Sequence, residues 1–429
     1  MPKPYPDYQM RSGWNALLPE RVPAPPLAED TNVDVVVVGA GFTGIACARR
    51  WHQNSPEARI AVIDASEIGE GNPGRNSGFL LEIALAEDAD PKNASRMTRC
   101  NELTQQAMQS LVNDVQAAGQ GIDFKRAGTY RAAVGAVGMQ SLNNYQKFLQ
   151  ATGLPYRELD REQLRKELGT DYYQAGLYSP HCYLVQPAAL IRVLASLLPD
   201  AVTVYEKTPA LQIQKKDNGW CVKTPGGELR SKYLVLATNS YAKDLGVARS
   251  QLVAVYTYAG LTPQLPDAVL QSLGSNENWG LLPTHPMGST LRRTADGRLL
   301  VRSLHDYEKE GQPMAVATAL QERLWNRFPQ VRGTELEHVW GGAVGYTHNG
   351  SPFWGEPEPG LFASCGCNGG GTVKGTLLGN LLADLAHGKQ VPDIAGLFGT
   401  AAWIPPEPLR RIGFHCSSKW QSWRGRLEL

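Results

Sequence analysis

At 429 residues the chain is too long for one simple core, and two interleaved domains are the expectation. A formal net charge of +1 gives no global attraction to nucleic acid or an anionic membrane, and seven scattered cysteines, an odd number, fit reduced thiols rather than a disulfide framework. The first 30 residues are Pro-rich and polar without an apolar leader core, and no apolar run approaches a membrane span, so the expected compartment is the cytoplasm.

After an N-terminal arm, Val33-Asp34-Val35-Val36-Val37-Val38 is apolar but for Asp34 and does not alternate, as in a buried parallel strand. A helix from about Phe42 to Gln53 and a second strand from Arg59 to Asp64 complete one βαβ unit. Met97, Cys100, Leu103, Met108, Leu111 and Val115 fall at helical spacing. Asp160 and Gln163 have the spacing of a capping box. Trp220 to Lys232, turning at Pro225-Gly226-Gly227, reads as a hairpin leading into a buried strand at Tyr233 to Thr238. Strands return at Val253 to Thr262 and Leu291 to Ser303, and a last helix runs from near Gly369 to about His387.

Gly39-Ala40-Gly41-Phe42-Thr43-Gly44 lies between the first strand and the first helix. The first Gly permits the turn, the second lets backbone approach a pyrophosphate, and the third lets helix and strand pack closely. The phosphate then meets the positive end of the helix dipole. Asp64, with Ala65 after it, ends the second strand, where a carboxylate accepts both ribose hydroxyls and repels a 2′-phosphate. This fingerprint serves NAD and FAD alike.

Further segments decide between them. The loop Ser66 to Gly78, containing Gly71 and Arg75-Asn76-Ser77-Gly78, resembles the flavin-contacting loop of the D-amino-acid oxidase-like (DAO) superfamily. Val235 to Ser240, with Ala237, Thr238 and Asn239, resembles its second dinucleotide-domain strand and turn. Trp340-Gly341-Gly342, then Thr347 to Pro352 and Gly355, resembles its late strand and loop over the isoalloxazine. Gly366 to Gly371, leading to Gly379 and Leu382-Ala383-Asp384, resembles its C-terminal flavin-binding helix.

The resemblance runs from Val33 to Asp384 and implies a glutathione-reductase-type, Rossmann-like FAD domain interleaved with an α+β substrate domain on a mostly antiparallel sheet. It implies that Gly369, Gly370, Gly371, Thr372, Val373 and Lys374 present backbone N–H groups and a cation to the reduced flavin, and that Ala210 contacts the adenine. No Cys or His lies in the Arg75 to Gly78 loop, which points to non-covalent FAD.

The same resemblance implies oxidation of a C–N bond, with hydride passing to flavin N5 and an imine left for hydrolysis. The expected substrate is a small amine, with oxygen or an electron carrier as acceptor. Tyr256, Tyr258, Trp279, Tyr346 and Trp354 are candidate pocket walls, competing with ordinary core packing; His348 and His285 are candidate contacts. Family amino-acid oxidases place a carboxylate-binding arginine where this chain has Val344, and many members carry Asp where Asn349 stands. The alternative is therefore a D-amino-acid or N-alkyl amino-acid oxidase or dehydrogenase with its anchor moved to Arg292 or Arg302. The arm and the Arg75 loop look more like the gamma-glutamylputrescine oxidoreductase branch.

The expected division is an arm at 1–30, an FAD domain of 31–96, 184–248 and 335–400, a substrate domain of 97–183 and 249–334, and an extension at 401–429. The tail from Arg410 to Leu429 mixes Arg, Lys and Trp and reads as a packed extension, with a membrane surface or quinone-linked partner as the alternative. No residue set has metal-ligand spacing, and no basic aromatic stripe suggests nucleic acid.

Overall fold

The computed structural model describes residues 3–84 and 93–429; residues 1–2 of the expected arm and 85–92 of the expected first FAD segment lie outside the described residues. Val35–Val38 and Ile60–Ile63 are buried throughout, as a strand covered on both faces must be. They are central in a six-stranded sheet ordered Val202–Tyr205, Ile60–Ile63, Val35–Val38, Tyr233–Leu236, Leu361–Cys365, Phe353–Glu358, with only the last pair antiparallel. The chain adds Ile60–Ile63 on one side of Val35–Val38 and Tyr233–Leu236 on the other. That reversal opens a crevice at the strands' C-terminal ends, where a dinucleotide binds in such sheets.

Strand alternation divides the core. Val35 and Val37 pack with helices Phe42–Asn54, Pro187–Ser196 and Val373–Ala386, while Val36 and Val38 pack against Trp220, Val222 and Leu229 of a small four-stranded sheet. The hairpin expected there forms as Gly219–Thr224 paired with Gly227–Ser231. Asp160 and Gln163 form the reciprocal capping box.

A second, eight-stranded sheet carries the other half of the molecule. Its order is His338–Tyr346, Val253–Leu261, Leu299–Tyr307, Thr290–Arg293, Trp279–Pro283, Thr129–Ala133, Ala175–Ser179, Arg157–Asp160. The first five are antiparallel to one another in succession, and Trp279–Pro283 then pairs parallel with Thr129–Ala133. The Leu291 to Ser303 stretch is two strands, because Asp296-Gly297 turns the chain with Gly297 at φ +81°.

Three segments pack across the expected division. Helix Ala94–Ala118, most of it in the expected substrate segment, buries Leu103, Ala107, Met108 and Leu111 in the nucleotide-side core and Met97 against Phe148 and Leu149. Strand His338–Tyr346 pairs within the eight-stranded sheet and not with the 335–400 FAD segment. The arm also reaches the core: Trp14 is buried edge-on to Trp340, and its Nε1 donates to the Asn76 carbonyl at 2.8 Å. Among the described residues no helix is long and apolar enough to cross a membrane, and no His/Cys/Asp/Glu group is arranged to hold a metal.

Candidate active site

The crevice is the nucleotide end of a cavity that continues to the eight-stranded sheet. Gly39 turns at φ +105°, and a Cβ there would lie 2.8 Å from the Ala237 carbonyl oxygen. A Cβ on Gly44 would collide with the Gly39 carbonyl, so this glycine seats helix on strand and does not line the cavity. Helix Phe42–Asn54 opens at Gly41 without a side-chain cap, leaving its first N–H groups for a ligand. Gly41, Phe42 and Thr43 line the cavity.

Asp64 accepts from the backbone N–H of Ala40 and of Ser66, both at 2.9 Å, so each carboxylate oxygen keeps a lone pair. Burial pushes its carboxyl up to about 6. Ala65 and Ala210 lie beside it on the cavity wall.

A second helix N-terminus meets the first. Helix Val373–Ala386 follows the Gly369 to Gly371 turn and also has no side-chain cap. Cβ atoms on Gly375 and Gly379 would press on Thr43, so small residues alone let the two helices approach this closely. Gly369, Gly371, Thr372 and Lys374 line the cavity; Gly370 and Val373 do not, Val373 being core. Ala237, Thr238 and Asn239 face them across the opening.

The Arg75 loop plays two parts. The Arg75 guanidinium lies 3.9 Å over the Tyr8 ring and donates to the carbonyls of Glu70, Met10 and Gly341, tying arm, loop and sheet together. Asn76 donates to the Pro73 carbonyl at 2.7 Å and accepts from the Gly78 N–H at 2.8 Å, a closed local turn. Gly71, Arg75, Asn76 and Ser77 line the cavity, whereas Gly78 packs on Val185 and Arg292.

One face of the eight-stranded sheet closes the far end. Thr257 pairs with Gly342, Ala259 with Arg302 and Thr290 with Arg302, so Thr257, Gly342, Arg302 and Thr290 share a side of the sheet. Leu282, Val344 and Tyr346 join them in the cavity lining. A Cβ on Gly369 would be 3.9 Å from the Tyr346 hydroxyl, which puts this tyrosine where the two halves meet. Arg302 donates from Nε to Thr257 Oγ1 at 3.1 Å.

Several expected contacts lie elsewhere. Tyr258 is on the opposite face, its hydroxyl donating to Asp306 at 2.7 Å and accepting from Gly311. Tyr256 lies outside the lining, its hydroxyl 3.2 Å from that of Tyr241. Trp279 stacks on Phe328 in the core, and Trp354 donates to the Leu378 carbonyl. His348 is exposed, His285 packs under the C-terminal segment, and Asn349 ties down Thr400 and Ala402. Arg292 is fully buried on Asp123 and Val185, which removes it as an anchor. Lining residues not expected from the sequence include Tyr241, Thr257, Thr290, Ser364 and the arm's Pro4 to Pro6. Strand register alone could have found the sheet residues among them.

The site fits FAD. Thr238 Oγ1 is buried with no partner among the described residues, and Thr238, Gly41 and Gly369 line the same cavity. Two uncapped helix N-termini and one ribose-type carboxylate answer the donors and acceptors of a dinucleotide.

A family model described as FAD dependent oxidoreductase (DAO) matches residues 34–385. The chain is 25% identical over 388 residues to Probable oxidoreductase OrdL of Rhizobium meliloti, covering 88% of this chain and 89% of that one. It is 25% identical over 376 residues to gamma-glutamylputrescine oxidoreductase of Escherichia coli, covering 84% and 85%. Among solved structures, glycine oxidase from Geobacillus kaustophilus superposes with a TM-score of 0.74 at 21% identity, over 86% of this chain and 98% of that one.

Proposed function

Because the chain belongs to the FAD-dependent oxidoreductase (DAO) family, we propose that it oxidises the C–N bond of a small amine bearing a carboxylate, an amino acid or N-substituted amino acid, with Arg302 pairing the anion. One observation carries this reading. Arg302 lines the cavity and has no carboxylate partner among the described residues. A half-buried cation facing the cavity favours an anionic partner. The acidic residue of the lining, Asp64, is at the nucleotide end, so a cationic tail reaching the sheet meets no carboxylate there.

The residues holding FAD would be the Gly39 to Thr43 turn at the pyrophosphate, Asp64 at the ribose, and the Gly369 to Lys374 turn with Arg75 to Ser77 at the ring. Bound FAD supplies the hydride acceptor, leaving an imine that water hydrolyses. The protein's part is positioning. Thr257 steadies the Arg302 guanidinium, and Arg302 fixes the substrate's carboxylate. Leu282, Val344 and Tyr346 exclude water, which lowers the pKa of the amine and favours its reactive neutral form. A plain amine is the second reading; Val344 favours it, since it gives the wall an apolar surface in place of a second cation.

The test is anaerobic mixing of holoenzyme with an amine and with its α-carboxylated analogue, following bleaching of the visible flavin band. The carboxylated compound is expected to bleach it at lower concentration. Equal or better reaction with the plain amine would overturn the anion-anchored reading. Admitting oxygen afterwards reads the acceptor directly.

A further inference from the structure

The chain's largest exposed apolar surface residues concentrate at its C-terminal end. Trp403, Leu409, Ile412, Trp420, Trp423 and Leu427 are all more than half exposed, with Trp423 at 68%. Five of these six lie on or just beyond helix Leu409–Arg424, which has no buried residue. At 3.6 residues per turn, Leu409, Ile412, Cys416, Trp420 and Trp423 form one stripe.

The helix is nevertheless fixed to the body by its other side. Arg410 donates to the carbonyls of Pro405, Leu252 and Arg249, Phe414 packs on Tyr307 with ring centroids 5.2 Å apart, and Gly425, just past the helix, lies against the His285 ring. Just beyond, buried Glu428 accepts from the N–H groups of Val134 and Gly135. The seam facing the protein is thus largely polar and the face turned to solvent is apolar, the reverse of an ordinary surface helix.

Charge says what covers that face. Between Leu409 and Leu427 stand Arg410, Arg411, Lys419, Arg424 and Arg426, with no Asp or Glu. The Arg424 guanidinium lies 4.6 Å over the Trp420 ring, at the edge of the apolar stripe. A second copy of this helix would bring like charges together. An anionic lipid surface accepts both features: acyl chains take the leucine, isoleucine and tryptophan side chains, and headgroups take the cations. Tryptophan also favours the level of the headgroups.

We propose that the helix Leu409–Arg424 is an interfacial anchor that lays the enzyme on an anionic bilayer without crossing it. The segment lies outside the stretch matched by the family model, and the proposal stands independently of the substrate reading.

The test uses full-length holoprotein and sedimentation with vesicles of phosphatidylcholine alone or mixed with phosphatidylglycerol. Binding is expected with the anionic vesicles only, weakening as salt rises and accompanied by a blue shift of tryptophan emission. Trp420→Ser/Trp423→Ser and Lys419→Glu/Arg424→Glu are each expected to reduce binding at least about tenfold. Both should leave the visible flavin spectrum, far-UV circular dichroism and turnover of soluble substrate unchanged. No binding to anionic vesicles, or binding that the two double variants leave intact, overturns the proposal. So does a concentration-dependent dimer in light scattering that the tryptophan variant abolishes, which would assign the face to a second copy.

Discussion

Backbone builds one end of the cavity, proposed to hold the nucleotide, from two uncapped helix N-termini and glycines pressed against carbonyls, whereas side chains drawn from one face of a sheet build the other, proposed to hold the substrate. At the first end nearly every contributor is fixed by what must be absent, a Cβ or a cap. At the second, each contributor is fixed by which way its strand faces. The two ends should therefore fail differently: the first loses the cofactor and stability together, while the second loses substrate recognition with the cofactor still in place.

Gly44→Val is the harshest way to break the first end. Its Cβ would collide with the Gly39 carbonyl, so helix and strand must separate. The expected cost is about 3 kcal/mol of stability, with purified protein colourless and its thermal midpoint lowered. A yellow, fully stable variant would show that the close seat is dispensable. Arg302→Met addresses the second end. Loss of a charge-assisted pair worth about 3 kcal/mol predicts roughly a hundredfold rise in KM for a carboxylated substrate. FAD content and thermal midpoint should not change; loss of flavin colour would place Arg302 in the cradle instead.

This contrast also explains what was legible in the sequence. Gly39, Gly41 and Asp64, expected at a nucleotide from one short stretch around a strand–turn–helix, line one cavity together with Gly369, which was expected there from the family resemblance. Arg302, Thr290, Thr257 and Leu282 come from four strands, and composition does not say which face each residue takes. Aromatic character drew attention to Tyr258, although Thr257 beside it holds the cavity position. The burial of Arg292 follows from its neighbours Asp123 and Val185, more than a hundred residues earlier in the chain.

A gentler probe of the cradle is pH. The Asp64 carboxyl sits up at about 6 without nucleotide, and in the proposed site ribose hydroxyls would donate to its ionised form. FAD affinity of the apoprotein is therefore full above 6 and falls as pH drops, by up to about tenfold per unit. The sign for folding is opposite: a carboxyl raised above its unfolded value near ~4 costs apoprotein stability as pH rises from ~4 towards 6. Flavin fluorescence quenching in apoprotein titrations would follow the first effect and thermal melts the second. Asp64→Asn should flatten both profiles; unchanged slopes would remove Asp64 from the ribose site.

The smallest effect separates the two faces of the substrate sheet. If register decides function there, a buried tyrosine one residue from a cavity threonine should be catalytically silent. Tyr258→Phe removes the hydroxyl that joins Asp306 to the Gly311 N–H, leaving both groups short of a partner. The expected cost is ~1–2 kcal/mol of stability, seen as a lower denaturation midpoint. kcat and KM should stay within about twofold, because the ring keeps its packing and no polar group of the cavity face changes. A fall in kcat with an unchanged midpoint would mean the strand presents Tyr258 to the substrate in the working enzyme, and the assignment of the two faces would have to be exchanged.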